Sequence, residues 1–269
     1  MKITVVMEDT AEPGLIAQHG LCLYVETKGH RLLMDTGASE DTWINAGKLG
    51  IDLKAVDTVI ISHGHYDHAG GLMSLVKLNP DVKVYMQRGA SGKFYHKEKY
   101  IGIDERIPSL SQMCICDGNL VIDEELELFT GITGRRYRPK SNLSLSEHVG
   151  TDIRQDAFVH EQCLVIRSGE KTVLLSGCAH NGILNILDKF AELFGCCPDI
   201  VVSGFHMAQK AGYGDDDRHM IRSTAEELAK LPCVFYTGHC TGQEAYDMMK
   251  EIMGDNLLRI CAGTTITLS

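Results

Sequence analysis

The segment VDTVIISHGHYDHAGGL places three imidazoles and a carboxylate, His63, His65, Asp67 and His68, within six residues at the end of an apolar run. Such a cluster is poor core filler, because polar groups buried without partners are costly. Imidazole and carboxylate are suitable ligands for zinc, iron or manganese. A strand entering this segment fans His63 and His65 to one side, and a tight turn at Gly64 brings Asp67 and His68 round to face a second point. Later in the chain, three more apolar runs end in potential donors: VLLSGCAHNG in Cys178 and His180, DIVVSGFH in His206, and CVFYTGHCTG in His239.

The elements that must hold these residues are legible as alternating runs. ITVVM, LCLYVE and RLLMDTG read as short strands, TWINAGKLG as a helix and AVDTVIIS as the strand that delivers the histidines. GGLMSLVKLN then reads as an amphipathic helix and VKVYMQ as a strand. A second half, from about Asn119, repeats strand and helix through QCLVIRSGEKTVLLSG, GILNILDKFAELFG, DIVVSG, RSTAEELAKL, CVFYTG and GQEAYDMMKEIMG. Two sheets, each with helices on its outer face, bury all of these apolar faces, so the expected class is α/β, a four-layer αβ/βα sandwich. Residues 1–269 read as one domain. Residues 88–118 and 131–150 are basic and poorly periodic; they read as loops, within an insertion around 88–150 that caps the site.

A chain of 269 residues with 44% hydrophobic content excludes disordered and fibrous classes. With 26 basic against 36 acidic residues the net charge is -10, which speaks against a general nucleic-acid surface. No apolar run approaches the ~20 residues of a membrane span, and a cytoplasmic location is expected. Ten cysteines occur without a CxxC pair; they read as reduced thiols, with Cys22, Cys163, Cys233 and Cys261 as small core residues. Against the acidic whole, Arg135, Arg136, Arg138 and Lys140 fall within six residues. Guanidinium forks suit phosphate and carboxylate oxygens. This loop, with Lys93 from the earlier part of the insertion, is either a solvated surface or a site for a small anionic substrate. The oligomeric state is left open.

The His-x-His-x-Asp-His signature, after a strand and preceded by LLMDTG, resembles the metallo-β-lactamase superfamily. The resemblance implies that Asp35 braces the ligand loop without binding metal, a role ligand clusters need. It also implies that Cys178 and His239 are ligands, and that His160, just ahead of the QCLVI strand, answers to the family's third ligand motif. His180 is the competing candidate for that ligand and is preferred, with His160 or Glu161 then supporting the site from behind. SGCAHNGILNI, GFHM, GHCTG and a terminal AGT are similar to a narrower branch, that of the dihydropterin-aminobenzene phosphate synthases, implying a phosphate-bearing or pterin-like substrate.

The expected function is that of a metal-dependent hydrolase. Two divalent ions about 3.5–4 Å apart, zinc in the first instance and manganese or iron otherwise, would activate a bridging water as hydroxide and polarise the substrate. Asp67 would orient that water, and His206 would touch substrate or protonate a leaving group. Three alternatives stand beside this reading. One is a non-hydrolytic synthase or transferase, another a metal-containing metabolite-binding protein. The third is a di-iron oxygen or nitric oxide reductase, which the imidazole at position 65 disfavours.

Overall fold

The computed structural model describes residues 1–209 and 211–268. The amino-terminal strands are β1 (Lys2–Met7), β2 (Cys22–Glu26), β3 (Arg31–Met34), β4 (Thr58–Ile60) and β5 (Lys83–Gln87). The middle of the chain adds β6 (Lys93–His96), β7 (Lys99–Tyr100), β8 (Met113–Cys116), β9 (Leu120–Val121), β10 (Leu126–Phe129), β11 (Leu145–Val149) and β12 (Asp152–Gln155). The remainder supplies β13 (Cys163–Ser168), β14 (Lys171–Leu175), β15 (Ile200–Val202), β16 (Val234–Thr237), β17 (Leu257–Arg259) and β18 (Thr265–Thr267). Among the described residues six α-helices accompany them: α1 (Asp41–Lys48), α2 (Tyr66–Ala69), α3 (Leu72–Leu78), α4 (Ile183–Phe194), α5 (Asp215–Leu228) and α6 (Gln243–Met253).

Two seven-stranded sheets form, in the orders β18-β1-β2-β3-β4-β5-β8 and β17-β16-β15-β14-β13-β10-β9. Strand alternation explains how they stack. In β2, Leu23 and Val25 face the other sheet, while Cys22 and Tyr24 face α1 and α3; in β13, Leu164 and Ile166 face inward, while Cys163 and Val165 face α4 and its neighbours. Three apolar layers result, one between the sheets and one beneath each set of helices. The chain is therefore an α/β sandwich of four layers, as the alternation of runs predicts. One crossing was not legible in the sequence: β18, from the carboxyl end, pairs antiparallel with β1 and closes the edge of the first sheet.

Each sheet is half antiparallel and half parallel. The parallel strands are β3, β4, β5 and β8 in one sheet and β14, β15, β16 and β17 in the other. Ligand sites in open α/β sheets form beyond the carboxyl ends of parallel strands. Here β3, β4, β14, β15 and β16 all lead directly into residues of the histidine cluster described below. Backbone geometry marks the same edge. Seven non-glycine residues among those described have positive φ, and five of them, Asp35, Phe158, Ala179, His206 and His239, lie in that cluster or beside it. Such conformations cost about 1–3 kcal/mol each and gather where side chains must be aimed.

The insertion differs from the loops the sequence suggests. Strands β12, β11, β6 and β7 make a separate four-stranded antiparallel sheet with its own small core of Phe94, Ile101, Leu145 and Phe158. It is stitched to the histidine segment by the Tyr66 amide, which donates to the Ile101 carbonyl at 2.8 Å, and by a bridge between His65 and Gly102. No helix among the described residues is long and apolar enough to cross a membrane.

Candidate metal centre

Asp35 organises the first part of the cluster. Fully buried just beyond β3, it accepts from the Ser62 amide (2.7 Å), the Ser62 hydroxyl (2.7 Å) and His68 Nδ1 (2.6 Å). Because the Ser62 proton goes to Asp35, its oxygen accepts from His63 Nδ1 at 2.8 Å. His180 Nδ1 meets Asn142 Oδ1 at 2.9 Å, and His239 Nδ1 meets Asp9 Oδ1 at 2.6 Å. In all four rings Nδ1 is engaged by an oxygen, which leaves Nε2 as the atom directed into the cluster. Outer carboxylates and amides select the metal-binding tautomer in this way.

These Nε2 atoms converge on two points. His63, His65 and His180 form one buried trio, in which His63 Nε2 and His180 Nε2 are 3.3 Å apart. Around the other, Asp67 Oδ2 lies 3.5 Å from His68 Nε2 and 3.4 Å from His239 Nε2. Cys178 stands between the points, its sulfur 3.1 Å from His68 Nε2 and close to His63 and His180 on one side and His239 on the other. Nε2 of His65 and of His239 are buried with no hydrogen-bond partner, an expensive state unless a cation is held there. Ligands bound at about 2.1 Å in tetrahedral array are about 3.4 Å apart, so the donor spacing fits a transition metal at each point.

Electrostatics separates the two points. Burial holds His63, His65 and His180 in the neutral form, His65 down at about 3, helped for His63 and His180 by the neighbouring imidazoles. At the other point burial is overruled. It would raise Asp67, but His68 and His239 hold that carboxyl far below its ordinary range; it would lower His68 and His239, but Asp35 and Asp67 raise the first, and Asp67 and Asp9 the second. Burial also pushes the Cys178 thiol up, so a metal would have to draw off its proton.

Other expected residues fall into place around this frame, some of them elsewhere than the sequence suggested. His160 is turned away: its Nδ1 accepts from the Gly64 amide (3.1 Å) and its Nε2 meets Asp156 (3.2 Å), leaving no nitrogen for a metal. His180 occupies the trio instead. Glu161 accepts from the His180 amide (2.6 Å) and from the amide and side chain of Asn181 (3.0 and 2.9 Å), and so fixes the bend after Cys178. His206 packs its ring 4.1 Å from that of His180, with Nδ1 buried and unpartnered.

The basic loop does not act as one unit. Arg136 pairs with Asp188 (3.1 Å) and Glu227 (3.6 Å), Lys140 with Asp216 and Asp217, and Arg135 donates to the Gly134 carbonyl. Lys93 is exposed at the start of β6, where its neighbour Phe94 points inward. Only Arg138 turns in: it donates to Asn181 Oδ1 at 2.8 Å, and its Nε is buried without a partner. Sequence reasoning missed Asp9, His19, Asn142, Asp156 and Phe158. Phe158 stacks on His180 at 4.3 Å, and the tandem acids that follow β1 in VVMEDT were the signal for Asp9.

The sequence model of the metallo-beta-lactamase superfamily matches residues 16–229. The 7,8-dihydropterin-6-methyl-4-(beta-D-ribofuranosyl)-aminobenzene-5'-phosphate synthase of Methanocaldococcus jannaschii is 27% identical, over 99% of this chain and 96% of that protein. An uncharacterized protein of the same organism is 26% identical, over 93% and 94%. Among solved structures, a metal-dependent hydrolase of the beta-lactamase superfamily superposes with a TM-score of 0.84 at 31% identity, covering 100% of this chain and 99% of its own. Zn(2+)-bound PqqB from Methylobacterium extorquens shares the fold at a TM-score of 0.58 and 12% identity, over the whole of both chains.

Proposed function

The chain belongs to the metallo-β-lactamase superfamily, and from that premise we propose that it is a metal-dependent hydrolase of a small anionic substrate, working at a dinuclear centre. One observation carries the reading: four imidazoles have Nδ1 anchored, and their Nε2 atoms converge with Asp67 and Cys178 on two adjacent points. His63, His65 and His180 would hold one divalent ion, Asp67, His68 and His239 the other, with Cys178 between them. Zinc suits the mixed imidazole, carboxylate and thiol set. Such ions supply Lewis-acid activation of water and of the substrate's acceptor oxygen.

The remaining roles belong to the chain. Arg138 offers a buried, unpartnered Nε and binds the substrate's phosphate or carboxylate beside His180. His206 holds or delivers a proton at Nδ1. Phe158, stacked on His180, and the small sheet behind it exclude bulk water from one side of the site. Asn142 fixes the His180 ring.

A second reading is favoured by the near full-length likeness to a pterin phosphate synthase: the same site joins two substrates without hydrolysis. Labelled water separates the two. Metal-loaded protein is screened on phosphodiesters, cyclic phosphates, lactones and pterin phosphates, the last with and without an arylamine as second substrate, in water enriched in oxygen-18. Chelator-sensitive turnover with label in the product supports hydrolysis; chelator-sensitive turnover of a pterin phosphate without label supports the synthase. No turnover of any substrate by protein carrying both metals would contradict both.

A further inference from the structure

His19 lies in the loop between β1 and β2, outside every motif considered so far, yet its imidazole meets the second metal point. Its Nε2 is 3.4 Å from Asp67 Oδ2, the same distance as His239 Nε2. Its Nδ1 is 2.9 Å from Asp9 Oδ2. The other oxygen of that carboxylate takes His239 Nδ1 at 2.6 Å. One carboxylate therefore orients two imidazoles toward the same neighbour, their rings 4.8 Å apart.

The turn that presents His19 is fitted to this place. The Leu21 amide donates to the carbonyl of Asp67 itself at 3.2 Å, and the Gly20 amide lies 3.4 Å from Asp9 Oδ1. At Gly20, where φ is +152°, a Cβ would come within 2.6 Å of the Asp67 carbonyl oxygen and 2.9 Å of the Ala38 nitrogen. Only glycine allows so close an approach. The backbone that carries His19 is thereby locked to the backbone that carries Asp67.

Nothing else accounts well for this arrangement. An imidazole whose side chain is 57% exposed gains little from pairing with a carboxylate in water, and one surface pair would need neither the shared Asp9 nor the glycine. A carboxylate behind the imidazole and a donor spacing of about 3.4 Å are the marks of a ligand. We infer that His19 is a ligand of the second metal ion, completing the set of Asp67, His68 and His239, and that Asp9 is the positioning residue for both His19 and His239. The inference rests on the dinuclear reading above. Because His19 is the solvent-facing donor of that set, the second ion is the one that exchanges with solution, and His19 sets how tightly it is held.

The test is direct metal binding. Metal-free protein is titrated with Co2+ and Zn2+, following visible absorption and competition with a chromophoric chelator. Wild type takes up two equivalents. His19→Ala should weaken the second by at least tenfold, change its Co2+ spectrum and leave the first unchanged. Asp9→Asn should weaken the second by ten- to a hundredfold, the usual cost of losing a carboxylate behind a ligand. His219→Ala, which removes an exposed histidine on α5, should change neither. In wild type, the Nε2 resonance of His19 should shift with the second equivalent of Zn2+ and not with the first, a readout that needs no variant to fold. Wild-type affinity and spectrum in His19→Ala, or an unmoved His19 resonance, would overturn the inference while leaving two metals in place. Uptake of fewer than two equivalents by wild type would overturn the dinuclear reading and the inference together.

Discussion

Replacing Asp35 by Asn should uncouple the brace from the metal centre with little strain of its own. Asp35 has a φ of 64°, a conformation that Asn tolerates, and the volume is unchanged. What changes is the second oxygen. The amide keeps an acceptor for the Ser62 nitrogen but sets an NH2 group where Oδ2 received both the Ser62 hydroxyl and His68 Nδ1. Two charge-assisted hydrogen bonds are lost, each worth about 1.5–3 kcal/mol. The neutral amide also escapes the cost of burying a charge, so the net loss should be nearer the lower sum, about 3 kcal/mol. For a chain of this size that is a fall in melting temperature of roughly 6–12 °C. His68, facing a donor, should move its proton to Nε2, the atom directed at Asp67 and Cys178. Metal affinity at the second point should then fall by about ten- to a hundredfold. Calorimetry of the metal-free variant measures the first effect, and chelator competition the second. A melting temperature within 2 °C or so of wild type, with unchanged affinity for both metals, would refute the assigned role of Asp35.

His30 joins the β2–β3 turn to the β9–β10 turn, with Nδ1 2.9 Å from Asp57 and Nε2 2.7 Å from Asp123. Burial opposes its charge, but the two carboxylates prevail and raise its pKa. The stabilisation it gives should be complete below about 6.5, the unfolded value, and vanish as pH rises through the folded one; His30→Gln should remove that dependence from urea-unfolding curves measured between mildly acidic and mildly alkaline pH. Arg138→Ala should raise KM for an anionic substrate by about tenfold or more, as loss of a charged hydrogen bond predicts. Arg136→Ala, which loses only surface pairs with Asp188 and Glu227, should change KM by about twofold at most; equal effects would show that Arg138 does not bind the anion. His206→Ala should retain both metals and slow turnover; loss of a metal would place His206 among the ligands instead.

The sandwich and the heart of the site were legible because their signals are local. Apolar runs report their own faces, and His63, His65, Asp67 and His68 declare themselves by standing together. What could not be read depended on contacts between distant segments. His19 and Asp9 face Asp67 and His239 only because β1 ends and β2 begins at the edge where β4 and β16 end, and nine residues of loop separate the pair in the sequence. His160 and His180 each follow or precede a strand, and only the Gly64 amide and Asp156, which claim both nitrogens of His160, decide between them. The small sheet was hidden because β6 is only four residues long and pairs with β11 some fifty residues on. The basic loop contrasts with the acidic chain, but the acids that neutralise Arg136 and Lys140 arrive on α4 and α5.

The most direct measurement is metal stoichiometry. Protein purified without chelator, or reloaded from the metal-free state, is to be assayed by elemental analysis alongside His63→Ala and His239→Ala. Wild type should hold close to two transition-metal equivalents, zinc prevailing over manganese and iron, and each variant should lose about one. Uptake of one equivalent or none by saturated wild type, or full retention of both in the two variants, would contradict a dinuclear centre built on these histidines.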